Sequence, residues 1–174
     1  MTPIHEPLSE EAAARLVQVA ALSKSSFVIR GGGTRSLHAT PEGTDVLSAR
    51  GLNGIVAYNP AEMTMTARAG TPLETVEAAL AEKRQMLAFE PNDLRGALGT
   101  SGIPTIGGVF ATNASGPRRF VAGAARDSLL GVRFVNGKGE VVKAGGRVMK
   151  NVTGLDLAKL LAGSHGSLAL LTEV

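Results

Sequence analysis

The chain of 174 residues has no cysteine and no tryptophan, a single tyrosine and only five phenylalanines. Without thiols it has no disulfide framework, thiolate zinc site, cysteine-held iron–sulfur cluster or cysteine nucleophile, a usage that suits a reducing cytoplasm. So few rings leave little for bases to stack on, and a net charge of +3 scattered along the chain argues against a nucleic-acid reader. No segment approaches the roughly 18 apolar residues of a membrane span, and MTPIHEPLSEEAAARL carries acids where a signal peptide has basic and then apolar residues. A soluble, cytoplasmic protein without a transmembrane segment is expected. The phosphate-binding pattern GxxxxGK followed by Ser or Thr is missing. In GGGTRS, the third glycine of a dinucleotide GxGxxG would fall at Ser36.

Glycine is in excess. The chain has 22 of them, against a usual share of about 7%, and they cluster without a short period, which excludes a collagen repeat and a flexible linker. With 44% hydrophobic residues the chain can bury a core of one domain or two small lobes. Ser9 followed by EEAAARLVQVAAL predicts a capped amphipathic helix over 9–23, with Leu16, Val17, Ala20 and Ala21 at helical spacing. FVIR (27–30), DVLSA (45–49) and GIVAYN (54–59) read as short strands, so the first third forms a small α/β lobe. Thr71-Pro72 predicts a helix opening with Thr71 as N-cap, running to about Arg84. GVRFVNGKGEVVKAG (131–145) reads as a hairpin, DLAKLLAG (156–163) as a short helix and SLALLTEV (167–174) as a final strand. The expected class is α+β, with lobes over 1–57 and 58–174, the second containing antiparallel strands.

Three glycine stretches pose the functional question: RGGGT (30–34), the segment from 101 to 119 (SGIPTIGGVFATNASGPRR) and GSHGSL (163–168). Bare amides following a strand form a concave anion nest with no Cβ to hold the ligand away. For RGGGT, that reading stands beside a tight turn between strands. At Gly107 and Gly108 a small-residue segment reads as a helix start whose free amides point at phosphate. Two such nests suit a diphosphate, and the small Ala111, Thr112, Ala114, Ser115 and Gly116 admit a flat ring system. The alternative there is a densely packed glycine-rich crossover.

These stretches, together with GIVAYNPAEMTMTARAGTPLETVEAALAEKRQMLAFEP and the ordered motifs SGPRR, RDxxLGV and GGRVMKN, carry a resemblance over about residues 8–174. The sequence resembles the FAD-binding subunits of bacterial glycolate oxidases, within the vanillyl-alcohol-oxidase and p-cresol-methylhydroxylase group of flavoproteins. The resemblance implies a two-lobe FAD domain with the cofactor between the lobes. It implies a pyrophosphate held by Arg30, Gly31, Gly32, Gly33 and Thr34, with Pro91, Thr105, Ile106, Gly107 and Gly108 opposite. Ser115 and Gly116 continue the isoalloxazine wall, and Gly166, Leu168 and Leu170 border the cofactor from the last strand. The implied activity is oxidation of a 2-hydroxy acid, glycolate to glyoxylate, with FAD as hydride acceptor. The implied partners are a second flavin subunit and an iron–sulfur subunit, through which the complex sits at the inner membrane. A non-catalytic scaffold of the same fold, or an oxidoreductase acting on lactate or another hydroxy substrate, are the alternatives.

The sequence departs from that group at two points. Many relatives join a histidine of the first glycine loop covalently to the flavin; Thr34 stands there, so non-covalent FAD is expected, with His38 the nearest histidine. The group continues into a substrate-binding cap, which a chain stopping at Val174 is expected to lack. Among charged residues, Arg118 and Arg119 read as a solvated loop before a phosphate or partner contact, Arg126-Asp127 as a local ion pair and Asp156 as an N-cap. Lys150 and Asn151 read as loop residues. His165 reads as structural. No catalytic residue, triad or metal site is assigned.

Overall fold

A computed structural model describes residues 2–36, 39–146 and 154–174; His38, Lys150, Asn151 and most of GGRVMKN lie outside them. Strand β1 (Ile4–His5) is followed by helix α1 (Glu10–Ser23), whose N-cap Ser9 accepts a hydrogen bond from the Ala12 amide, as the sequence predicts. Two further strands, β2 (Phe27–Arg30) and β3 (Asp45–Ser48), complete a parallel sheet in the order β1-β3-β2. Two residues flanked by prolines carry no strand periodicity, and β1 is recruited by pairing: Ile4 opposes Val46, and His5 reaches Asp45 at 2.8 Å.

Strand β4 (Ile55–Asn59) pairs antiparallel with β5 (Thr64–Ala67), and the expected division between residues 57 and 58 falls inside β4. Helix α2 (Leu73–Ala81) follows, ending short of Arg84, which stands at φ +56°. Thr71 does not cap it. Its hydroxyl donates to the Arg68 carbonyl at 2.6 Å and accepts from the Gly54 amide at 3.0 Å, welding the β5–α2 turn to the start of β4. Four short helices occupy the segment from 95 to 128: α3 (Arg95–Leu98), α4 (Ile106–Ala111), α5 (Arg119–Ala122) and α6 (Ala125–Ser128). The hairpin appears as β6 (Gly131–Asn136) and β7 (Val141–Gly145); α7 (Leu157–Leu161) and β8 (Ala169–Glu173) close the described chain. As expected, the Asp156 side chain caps α7 at the Lys159 amide. Asp127 accepts from the Ala124 amide at 2.8 Å, so the expected ion pair with Arg126 gives way to a helix-start bond.

The third sheet runs β7-β6-β8, all antiparallel. The last strand also exchanges backbone bonds with β5, Ala67 with Val174 and Ala69 to Thr172, so the two antiparallel sheets meet edge to edge. The expected α+β class holds. One apolar cluster lies around Phe89, Val109, Phe110 and Phe134. A second joins α1 to both parts through Ala13, Ala14, Leu47, Val135 and Leu170, and holds the parallel sheet against the antiparallel one. Glu10, in the first turn of α1, accepts from Arg133 on β6 and from the Thr172 hydroxyl on β8, which fixes that helix across the junction. Leu170 is 1% exposed, so the strand carrying the third glycine stretch is anchored at the junction itself.

Candidate functional site

All three glycine stretches meet at that junction. The first leaves the C-terminal end of β2, where ligands of open α/β sheets commonly bind. Among the described residues, the backbone N–H groups of Gly31, Gly32, Gly33 and Thr34 have no protein acceptor. Gly33 stands at φ +72°, a conformation that costs glycine nothing and turns successive amides toward one side. Residues 100–105 lie against this loop. A Cβ on Gly32 would stand 1.6 Å from the Ile103 carbonyl oxygen, and one on Gly102 would stand 1.7 Å from the Gly32 oxygen. Thr100 donates its hydroxyl to the Thr34 carbonyl at 3.1 Å.

The second stretch departs from expectation. The Ile106 and Gly107 amides donate to Thr71 and Ala69 carbonyls at 2.9 and 2.8 Å, and Gly108 donates to the Thr105 hydroxyl at 3.3 Å. These amides are engaged, so the free nest expected at the helix start does not exist. Gly107 is glycine because a Cβ would lie 2.5 Å from that of Ala69, which makes this segment a close-packed crossover. Gly108 differs: its Cβ direction meets only the Thr105 hydroxyl, at 3.2 Å, and is otherwise open. The third stretch is held by the His165 amide donating to Ala111 at 2.8 Å, and Gly166, at φ +77°, passes over Ile29.

Together they enclose a cleft of about 500 Å³, within the range of sites for small molecules and cofactors. Arg30, Gly31, Gly32, Gly33, Thr34, Thr105, Gly107, Gly108, Gly166 and Leu170 border it. Pro91, Ile106, Ser115, Gly116 and Leu168 do not. Ile106 is core, 3% exposed, and Leu168 faces solvent. Ser115 accepts from the Ala125 amide at 2.9 Å, and Gly116 donates to the Phe89 carbonyl, so both serve a turn that seats α6. Ala111 and Thr112, read from the sequence as room for a flat ring, border the cleft as well; Arg35, Ala69 and His165 also border it and were not expected. Arg35 follows the loop directly, which was signal enough; the others are placed by contacts distant in sequence.

The cleft is positive. Arg30 and Arg35 border it and, among the described residues, no carboxylate does. Burial pushes the Arg35 guanidinium below its ordinary pKa, an effect partly countered by the charge of Asp93. Asp93 itself is held down to about 2, chiefly by hydrogen bonds from the Arg95 side chain. Arg118, on an exposed turn 3.7 Å from Glu90, and Arg119, the exposed first residue of α5, lie outside the cleft. A larger cavity of about 670 Å³ lies beside β4, β5 and α2, lined by Tyr58, Met65, Leu80, Leu87, Phe89 and Phe110 among others. Its lining carries Glu62 and Glu173 as well as Arg133 and Lys143, whereas the smaller cleft is bordered by Arg30 and Arg35 and, among the described residues, by no carboxylate. Among the described residues, no group of three or more metal-ligating side chains converges, and no helix is long and apolar enough to cross a membrane.

Residues 3–145 match the family model described as FAD binding domain. The chain is 42% identical over 158 residues to glycolate oxidase subunit GlcE of Escherichia coli (strain K12), covering 91% of this chain and 43% of that protein. It is 37% identical over 128 residues to D-2-hydroxyglutarate dehydrogenase of Xanthomonas citri pv. viticola, covering 74% of this chain and 26% of that protein. Among solved structures, alkyldihydroxyacetonephosphate synthase superposes with a TM-score of 0.74 at 24% identity, over 98% of this chain and 30% of that one, a likeness of fold. The chain thus spans less than half the length of these relatives. The α+β architecture expected from the resemblance, an FAD-binding domain of the p-cresol-methylhydroxylase type, is the one observed. A chain whose fold, glycine cleft and sequence over 3–145 agree in this way belongs to the FAD binding domain family.

Proposed function

We propose that this chain is the FAD-holding part of a glycolate oxidase subunit that oxidises a 2-hydroxy acid to the 2-oxo acid. The observation that carries the reading is the run of four unpartnered amides, Gly31 to Thr34, in a cleft bordered by arginines and, among the described residues, by no acid. Such amides suit a diphosphate, because each N–H gains a charge-assisted bond that no protein acceptor competes for. Gly33 and Gly108 border the same cleft without a side chain of their own, which leaves their backbone approachable from it. The substrate class follows from the relatives' names: glycolate and 2-hydroxyglutarate share a hydroxyl on the carbon next to a carboxylate.

When bound, FAD supplies the acceptor for the hydride that leaves C2 of the hydroxy acid. The residues of this chain bind and orient. Gly31, Gly32, Gly33 and Thr34 would take the diphosphate, Thr105 and Gly108 face it from α4, and Ala111 and Thr112 leave room for a flat ring. Leu170 and Ala169 close the floor and exclude water. Thr34 stands where a covalently bound relative would have histidine, so the flavin is held without a bond. Electrons pass onward through a second flavin subunit and an iron–sulfur subunit, which place the assembly beside the inner membrane.

The purified chain is expected to be yellow, to release its flavin into the supernatant on acid precipitation, and to leave glycolate unoxidised until its partners are added. Colour retained in the acid pellet contradicts non-covalent binding. A colourless chain that takes up no added FAD contradicts the cofactor reading and favours a scaffold of the same fold. Glycolate turnover by the chain alone contradicts the division of labour.

A further inference from the structure

Three arginines of the molecule lie against acids. Arg95 pairs with Asp93 at 2.7 Å, Arg118 lies 3.7 Å from Glu90, and Arg133 pairs with Glu10. Arg35 does not: among the described residues no carboxylate lies within ion-pair distance of its guanidinium. It donates instead to neutral acceptors, the Asn92 carbonyl at 2.6 Å and the Asn92 side-chain oxygen at 3.3 Å. It is half-buried, borders the cleft, and follows directly on the four unpartnered amides. Taking a cation partly out of water is costly; the charge of Asp93 offsets part of that cost without forming an ion pair, and an anion entering the cleft would offset more.

A guanidinium has five N–H donors in a planar fork that matches phosphate oxygens, and the two bonds to Asn92 leave the others available. Arg30 is the other cation at the cleft, and its Nη2 donates to the Thr40 hydroxyl at 2.7 Å. Asn92 therefore acts as a neutral cradle. It fixes the direction of Arg35 without cancelling its charge, as a carboxylate at the same place would.

We propose that Arg35 is a specificity-determining residue of the cleft: it pairs with the diphosphate and so selects FAD over flavins without one. This rests on the FAD reading and deepens it. The Arg35→Gln variant keeps a polar side chain able to reach Asn92 and removes the charge. The deflavinated chain is titrated with FAD, ADP and riboflavin, which separate the diphosphate from the ring. Arg35→Gln is expected to weaken FAD and ADP by about tenfold or more, the size of one charge-assisted contact, and to leave riboflavin within about twofold of wild type. The FAD deficit should shrink as salt is raised, and Arg35→Lys should recover part of it. An equal loss for FAD and riboflavin overturns the proposal in favour of a loop-holding role, and unchanged FAD and ADP binding overturns it outright. A wild-type chain that takes none of the three probes overturns the FAD reading, and this proposal with it.

Discussion

Replacing Gly32 by alanine is expected to abolish tight FAD retention. The new methyl would stand 1.6 Å from the Ile103 carbonyl oxygen and 2.5 Å from its carbon, and both are backbone atoms with no rotamer to yield. Restoring van der Waals contact needs the two loops to part by roughly 2 Å, and forced repacking of this kind typically costs about 1–3 kcal/mol. The larger effect is on the ligand. Amides of residues 31–34 displaced by that distance lose hydrogen-bond geometry, and two charge-assisted bonds at about 1.5 kcal/mol each amount to roughly a hundredfold in affinity. Gly137→Ala is the control, because no atom lies within 4 Å of its Cβ direction and its backbone is not left-handed. Flavin content after desalting and Tm, measured on both variants, should single out Gly32. Equal flavin retention by the two would show that the loop contact does not shape the cleft.

Thr71→Val is expected to give the largest loss of stability for the fewest atoms changed. Thr71 is fully buried, and its hydroxyl serves both the Arg68 carbonyl and the Gly54 amide. Valine fills the same volume but leaves the Gly54 donor without that partner. Lost bonds near 1 kcal/mol each, plus the penalty for an unsatisfied buried donor, give about 2–4 kcal/mol. For a chain of this size that is a fall in Tm of about 5–12 °C. The Thr71 carbonyl accepts the Ile106 amide, so the same change loosens the seat of α4 and should also speed FAD loss. Thr71→Ser, which keeps the hydroxyl, should lose about 1 kcal/mol or less for its missing methyl. A valine variant as stable as the serine one would assign the residue to packing alone.

Thr71 also shows where sequence reading stops. Thr-Pro-Leu-Glu has the composition of a helix start, and local chemistry alone gives the hydroxyl to a cap. The structure spends it on Gly54, 17 positions away, a partner that no local pattern reveals. Gly107 fails for the same reason, and Gly108 for a local one, the cap of α4. Their amides look free beside a nascent helix, but Ala69 and the Thr105 hydroxyl have taken them. Gly31 to Thr34 were readable because a strand that ends in consecutive glycines has few local uses for its donors. Helix α1 and the hairpin were legible from period and cap signals, whereas β1 exists only through its pairing with β3.

Glycine itself divides into two classes that the sequence cannot separate. Gly32, Gly102 and Gly107 are bare because another backbone or side chain occupies the space of a Cβ. Gly33 and Gly108 border the cleft, and a Cβ there would meet only one side-chain atom each, Arg30 Cδ at 3.6 Å and the Thr105 hydroxyl at 3.2 Å. Close loop packing therefore builds the cleft, and a smaller set of residues faces what enters it. Ser115 and Gly116, expected beside the flavin ring, belong to the first kind of use: they tie the turn before α6 to Phe89 and Ala125.

The most direct measurement is a titration of the deflavinated, 15N-labelled chain with FAD, following the backbone amides of Gly31, Gly32, Gly33 and Thr34 by NMR. Diphosphate capture predicts that these four proton resonances move downfield together and gain protection from exchange, while Ile106 and Gly107, already bonded within the protein, change little. If FAD binds and the four remain where they were, the diphosphate lies elsewhere and the cleft described above is not its site.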